Sequence, residues 1–173
     1  MQGLIDTIGI AKGTLYHHFS SKNEILEAVV EQMVDEQVEK IKELLNNNTS
    51  LPALEKFRLL IVESNMEEDN EQLLANLHHP DNYEIHGRHL ARTIEEMAPL
   101  YASVITDGCK EKVFNTKHPL ECAEFILGGV QFITDVGFYN WSNEQLSRRA
   151  SALPALIEAQ LGAPEKSFDF LTS

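Results

Sequence analysis

The stretch that most constrains this chain runs from Leu4 to Lys22, LIDTIGIAKGTLYHHFSSK. Leu4, Ile5 and Ile8 give a short helix one apolar face. Ile10, Leu15 and Phe19 do the same for a second helix, with Leu15 and Phe19 one helical turn apart. Gly9 between them suits the residue just past a helix end, where positive φ is easiest for glycine. The outward set of the second helix is then Lys12, Gly13, Thr14, Tyr16 and His17. Lysine and tyrosine can reach phosphates, threonine and histidine can touch base edges, and glycine lets the backbone come close. The pattern predicts a helix-turn-helix facing duplex DNA.

At these residues the match becomes specific. IGIAKGTLYHHFSSKNEIL resembles the signature of the TetR family of bacterial one-component transcription regulators. In that family the second short helix is the recognition helix, and a lysine opens the helix that follows. Carried over position by position, the resemblance implies DNA contacts from Lys12, Gly13, Thr14, Tyr16, His17, His18 and Lys22. Two departures stand out. Ala11 occupies the position where the family has a serine or threonine cap, a loss on the order of 1 kcal/mol. Met1 falls where the first helix of the motif begins, so the family's preceding helix, expected to cover Leu4, Ile5, Leu15 and Phe19, is missing from the sequence. Either the chain is truncated or its head is incomplete.

Composition excludes several classes. Hydrophobic content of 43% and charged content of 24% are ordinary for a soluble globular protein. No run approaches the roughly 18–20 apolar residues of a membrane span, and no charged-then-apolar leader opens the chain. A cytoplasmic location with no membrane partner is expected. Two cysteines, Cys109 and Cys122, are too few for a disulfide framework. A net charge of −13 argues against DNA binding over the whole surface. Residues 1–23, however, carry Lys12 and Lys22 against Asp6 alone, a balance of +1 on an otherwise acidic protein.

The rest of the chain reads as helices. Ser21-Lys22-Asn23-Glu24 has the form of a capping box, and apolar residues from Leu26 to Leu45 repeat at helical spacing up to the asparagines at 46–48. Further helices are expected from Pro52, around Leu73–Leu77, from Tyr83 to Asp107, from Pro119 to about Tyr139, and from Ser142 to Leu161. Gly108 and Gly162 act as stops, Pro99 and Pro154 as bends, and the tail from Ala163 is expected to be loose. No segment sustains strand-like alternation. The expected fold is all-α: residues 1–45 form a helix-turn-helix head and connecting helix, and residues 46–173 a ligand-binding and dimerisation body.

The segment VITDGCKEKVFNTKHPLECAEFILGGVQFITD also resembles the family body, whose last two long helices pair with their copies in a homodimer. Gly128 and Gly129 sit mid-helix at about 1 kcal/mol each relative to alanine, and permit close helix approach. Packing within one chain would ask for the same residues. The candidate interface is Ala123, Gly128, Gly129, Ala150, Leu153 and Ile157. A two-fold dimer would present two recognition helices to major grooves roughly 34 Å apart on a palindromic operator. The resemblance further implies an effector pocket, for which Phe57, Ile61, Met66, Leu77, His86, His89, Met97, Tyr101, Phe125 and Phe132 are candidates. They suit a small apolar or amphipathic effector.

His78, His79, His86 and His89 fall within twelve residues, beside Asp81 and Glu84. Such a cluster could ligate zinc, copper or nickel, although no H-E-x-x-H accompanies it. No G-x-S-x-G, phosphate loop or C-x-x-C is present, so neither catalysis nor a cofactor is expected. The sequence therefore points to a ligand-released repressor acting as a DNA-binding homodimer. The alternatives are a headless small-molecule-binding module and a metal-sensing regulator built on the His78–His89 cluster.

Overall fold

The computed structural model describes residues 19–64 and 71–172. Among them the regular structure is helical, as expected. Six α-helices follow one another: α1 (Lys22–Asn47), α2 (Ala53–Ser64), α3 (Glu71–Leu77), α4 (Tyr83–Lys110), α5 (Pro119–Thr134) and α6 (Asn143–Leu161). Single 3-10 turns at Pro80–Asn82 and Asp169–Leu171 complete the path.

Local chemistry starts and stops most of these elements. Ser21 Oγ accepts the Glu24 N–H at 3.1 Å, while Glu24 Oε2 reaches back to the Ser20 N–H at 2.7 Å. The two orphan donors at the start of α1 are thus satisfied reciprocally, with the return contact one residue earlier than the expected box. At α6 the box is complete: Ser142 Oγ accepts from Gln145 N–H, and Gln145 Oε1 accepts from Ser142 N–H. Gly162 closes α6 at φ 59°, the left-handed conformation that glycine adopts most easily. The N-terminus of α2 is capped from a distance, because the Glu111 carboxylate accepts the Ala53 N–H.

α4 is the central post, packed against α1, α2 and α5. It runs unbroken through Pro99, whose exposed position leaves the freed carbonyl one turn back on the solvent side. α6 likewise continues through Pro154. Two apolar cores result. The larger joins Val34, Val38 and Ile41 of α1 to α2, α4, α5, α6 and the tail. The smaller holds Ile25, Leu26, Val29 and Val30 of α1 against Leu73, Leu77 and Ile85. α1 therefore has its first turns in one core and its later turns in the other.

Three expectations need correction. Gly108 does not end α4; it lies inside the helix, and its missing side chain makes room for Phe114. A Cβ there would stand 2.1 Å from Phe114 Cδ2. The Gly108 carbonyl also accepts the Val113 and Phe114 N–H groups, which turns the chain back onto the core. α5 stops at Thr134 rather than near Tyr139, because Asp135 Oδ1 captures the Gly137 and Phe138 N–H groups at 2.7 and 2.8 Å. The tail is not loose. Phe168 is fully buried, and its N–H donates to the buried Glu158 carboxylate at 3.0 Å.

Candidate functional site

Lys22, the first residue of α1, is exposed. The other residues expected to touch DNA, Lys12, Gly13, Thr14, Tyr16, His17 and His18, lie outside the described residues. So does Met66 of the expected pocket.

The body holds a cavity of about 330 Å³ bounded by α1, α2, α4, α5, α6 and the tail. Phe57, Ile61, His89, Met97 and Tyr101 line it. The remaining pocket candidates do not. Phe125 is 72% exposed and Phe132 46%, both on the outer side of α5. Leu77 belongs to the smaller core. His86 is buried outside the cavity lining. Leu153 and Ile157, expected at a dimer face, instead line the cavity. Ala123 is 1% exposed and sits in the core of its own chain. A Cβ on Gly128 would meet Ile94 Cδ1 at 3.4 Å, whereas one on Gly129 would meet open space. Ala150 is exposed.

Sequence reasoning missed the polar part of the lining: Gln37, Thr93 and Gln131. Thr93 Oγ1 donates to the His89 carbonyl at 2.9 Å, one turn back along α4. His89 Nδ1 and Gln131 Oε1 are buried and have no hydrogen-bond partner among the described residues. Burial pushes the His89 pKa down to about 4, with smaller contributions in the same direction from His86 and His78 and an opposing one from Asp135. The ring is therefore neutral at pH 7. No glutamine at a helical apolar spacing announces itself as unpaired, since its partners come from other helices.

Beside the cavity lies a polar knot. His86, 1% exposed, places Nε2 2.9 Å from Asp135 Oδ2. Its ring stacks on Phe138 at 4.5 Å and lies 4.9 Å from the His78 ring. Burial lowers the His86 pKa, against the pull of Asp135. A neutral imidazole beside a carboxylate carries its proton on Nε2, which leaves Nδ1 as a buried acceptor with no partner among the described residues. Asp135 thus holds three groups together: two backbone N–H donors of its own turn and a histidine of α4. The Asp-x-Gly sequence at 135–137 was the signal for this turn. Donor atoms of His78, His86 and Asp135 all lie within 4.8 Å of one another, so these three could hold a cation. His79 and His89 are not part of that group. His79 instead accepts the Asp81 N–H at the exposed turn.

The same stretch of α4 is tied to α1 by ion pairs. Arg88 reaches Glu27 at 2.9 Å, and Arg92 reaches Asp35 at 2.6 Å and Glu31 at 3.6 Å. Glu27, Glu31 and Asp35 are four residues apart on one face of α1, and Arg88 and Arg92 are four apart on α4. Arg88 and Arg92, on either side of His89 along α4, thus tie that helix to the one that begins at Lys22.

The sequence matches a family. A model described as the tetracyclin repressor-like C-terminal domain matches residues 60–156, more than half of the chain. The chain belongs to the TetR family. A second model, described as bacterial regulatory proteins of the tetR family, matches residues 1–29. Among curated proteins, an uncharacterized HTH-type transcriptional regulator of Bacillus subtilis (strain 168), YvaF, is 39% identical over 62 residues, 36% of this chain and 32% of that protein. The HTH-type transcriptional regulator SAR0097 of Staphylococcus aureus (strain MRSA252) is 31% identical over 61 residues, 35% and 32% respectively. The match spans about a third of the length of these relatives. Among the described residues, no helix is long and apolar enough to cross a membrane.

Proposed function

We propose that this chain is a transcription regulator, a ligand-released repressor that grips a palindromic operator as a homodimer. The observation that carries the reading is the family match over residues 1–29, which covers Lys12 to His18 and Lys22. Residues 1–45 supply the head and connecting helix, and residues 46–173 the body. An effector in the cavity shifts α4, and the Arg88 and Arg92 ion pairs pass that shift to α1. The populations of head spacings change, and the spacing that fits both half-sites loses occupancy. A second copy would cover the exposed Phe125 and Phe132 of α5, with the half-buried Gly129 between them, together with Val136 just past the end of that helix and Leu156 on α6. No catalytic step belongs to this reading.

The test is selection of bound duplexes from a random pool, followed by gel-shift titration of the winner. The expected result is an inverted repeat whose binding Lys22→Ala weakens without unfolding the body. A protein that enriches no sequence contradicts the regulator reading. Phe125→Asp should halve the mass seen by light scattering, and an unchanged mass would move the interface elsewhere.

One observation favours a second reading, metal sensing: the convergence of His78, His86 and Asp135. Bonds of about 2.0–2.2 Å to nitrogen and oxygen would suit zinc once His86 and Asp135 part slightly. Equilibrium dialysis against zinc, copper and nickel decides it. Tight binding lost in His78→Ala supports the reading, and absence of binding removes it.

A further inference from the structure

We propose that the cavity takes an uncharged ligand: an apolar body carrying one hydrogen-bonding group, a hydroxyl or an amide, seated between His89 and Gln131. This rests on reading the cavity as the effector site and names the chemistry that site selects.

Three observations carry the inference. First, two buried polar atoms, His89 Nδ1 on α4 and Gln131 Oε1 on α5, lack partners among the described residues, and both residues line the same cavity. Buried polar atoms are paired in the great majority of cases, so two orphans on one cavity wall point to a partner that arrives from outside. Second, none of the lining residues is Asp, Glu, Lys or Arg. An ionised head would give up its hydration with no opposite charge to meet it, a far larger penalty than a hydroxyl incurs. The His89 ring is neutral at pH 7 for the same reason of burial, so it offers no cation to a carboxylate. Third, the remaining wall is aliphatic and aromatic, with Phe57, Met97, Leu127 and Val130 among its members. At about 330 Å³ it sits at the small end of ligand cavities, which fits a compact molecule rather than a long chain.

The neutral head also explains how binding could be felt. A single hydroxyl can donate to the glutamine oxygen and meet the imidazole nitrogen, which joins α4 to α5 across the gap. α4 carries Arg88 and Arg92, and so holds α1.

Calorimetric titration of the full chain with four matched compounds tests this: 4-propylphenol, propylbenzene, 4-propylbenzoate and 4-propylbenzylamine, each at pH 7. The phenol should bind about tenfold more tightly than the hydrocarbon and than either ion. Gln131→Met, which keeps the volume and removes the acceptor, should erase the advantage of the phenol over propylbenzene. If propylbenzene binds as well as the phenol, or the benzoate binds best, the uncharged-head proposal is overturned while the cavity stands as an effector site. If no compound binds, propylbenzene included, the effector-site reading falls and the proposal with it.

Discussion

The two ends of the body solve the packing problem differently. At one end Phe57 meets Tyr101, Phe114 and Phe168 edge-on, with ring centroids 5.4, 6.3 and 5.2 Å away. Gly108 yields its side-chain volume to Phe114, and Glu158 binds the backbone of Phe168. Nearby, Lys56 and Asp107 pair at 3.0 Å, and Lys56 and Lys110 together hold the Asp107 carboxyl below its ordinary pKa. Apolar groups there are closed over and polar groups are matched. Beyond Phe57 and Tyr101, which also line it, a cavity remains, and His86, His89 and Gln131 each bury a polar atom with no partner among the described residues. Such atoms lower stability, so their concentration beside one cavity sets that part of the body apart from the matched one.

The largest expected effect breaks the sealed end. Phe57→Ala removes the ring on which three others lean and should cost roughly 3–5 kcal/mol, read as a lower urea midpoint. Phe57 also lines the cavity, so a cost below about 1 kcal/mol would mean that the two ends are not as different as their packing suggests.

Acid should act mainly at the other end. The His89 pKa falls from 6.5 to about 4 on folding. Above pH 6.5 the ring is neutral in both states and the protein has its full stability. Between pH 6.5 and about 4 the unfolded chain takes up a proton that the folded chain refuses, so stability declines as pH falls. The loss from this group is on the order of 3 kcal/mol once pH passes below about 4. The lowered pKa of His86 acts in the same direction, while Asp135 opposes both. Urea midpoints at pH 7 and pH 5 check the sign, and His89→Phe should flatten the slope. A variant with the wild-type slope would assign the acid response elsewhere.

Asp135→Ala should cost roughly 2–3 kcal/mol, because it strips two N–H caps and leaves His86 without its acceptor. Asp135→Asn keeps an oxygen for the turn and should cost less. Equal costs would show that the bond to His86 matters more than the caps.

Much of the helical frame was legible because caps are local. Ser21, Ser142 with Gln145, and Gly162 lie within a few residues of the ends they define. What sequence hid was decided across the fold. The stop of α5 depends on Asp135 turning inward to a histidine 49 residues earlier, and the run of apolar residues continuing to Tyr139 concealed it. The role of Gly108 became visible only once Phe114 folded back on it. For the cavity, periodicity found Met97 and Tyr101 on the inward stripe of α4, because one helix face is a local property, while His89 was a candidate only through the family resemblance. It misassigned Phe125 and Phe132, since apolar residues on both faces of α5 look alike until a neighbour covers one of them. Leu153 and Ile157, expected at a dimer interface, line the cavity.

The smallest effect is the sharpest test of the contrast, because its sign is opposite to the others. An unpaired buried acceptor costs the empty protein free energy that a thioether of the same shape would not. Gln131→Met should therefore raise stability by about 1 kcal/mol without ligand, seen as a higher urea midpoint with unchanged slope. A glutamine in the sealed end would show no such gain. If Gln131→Met instead destabilises the empty protein, Gln131 has a structural partner and belongs with the matched groups. If it stabilises, the residue is retained at a cost to folding, as a glutamine kept for the proposed ligand contact would be.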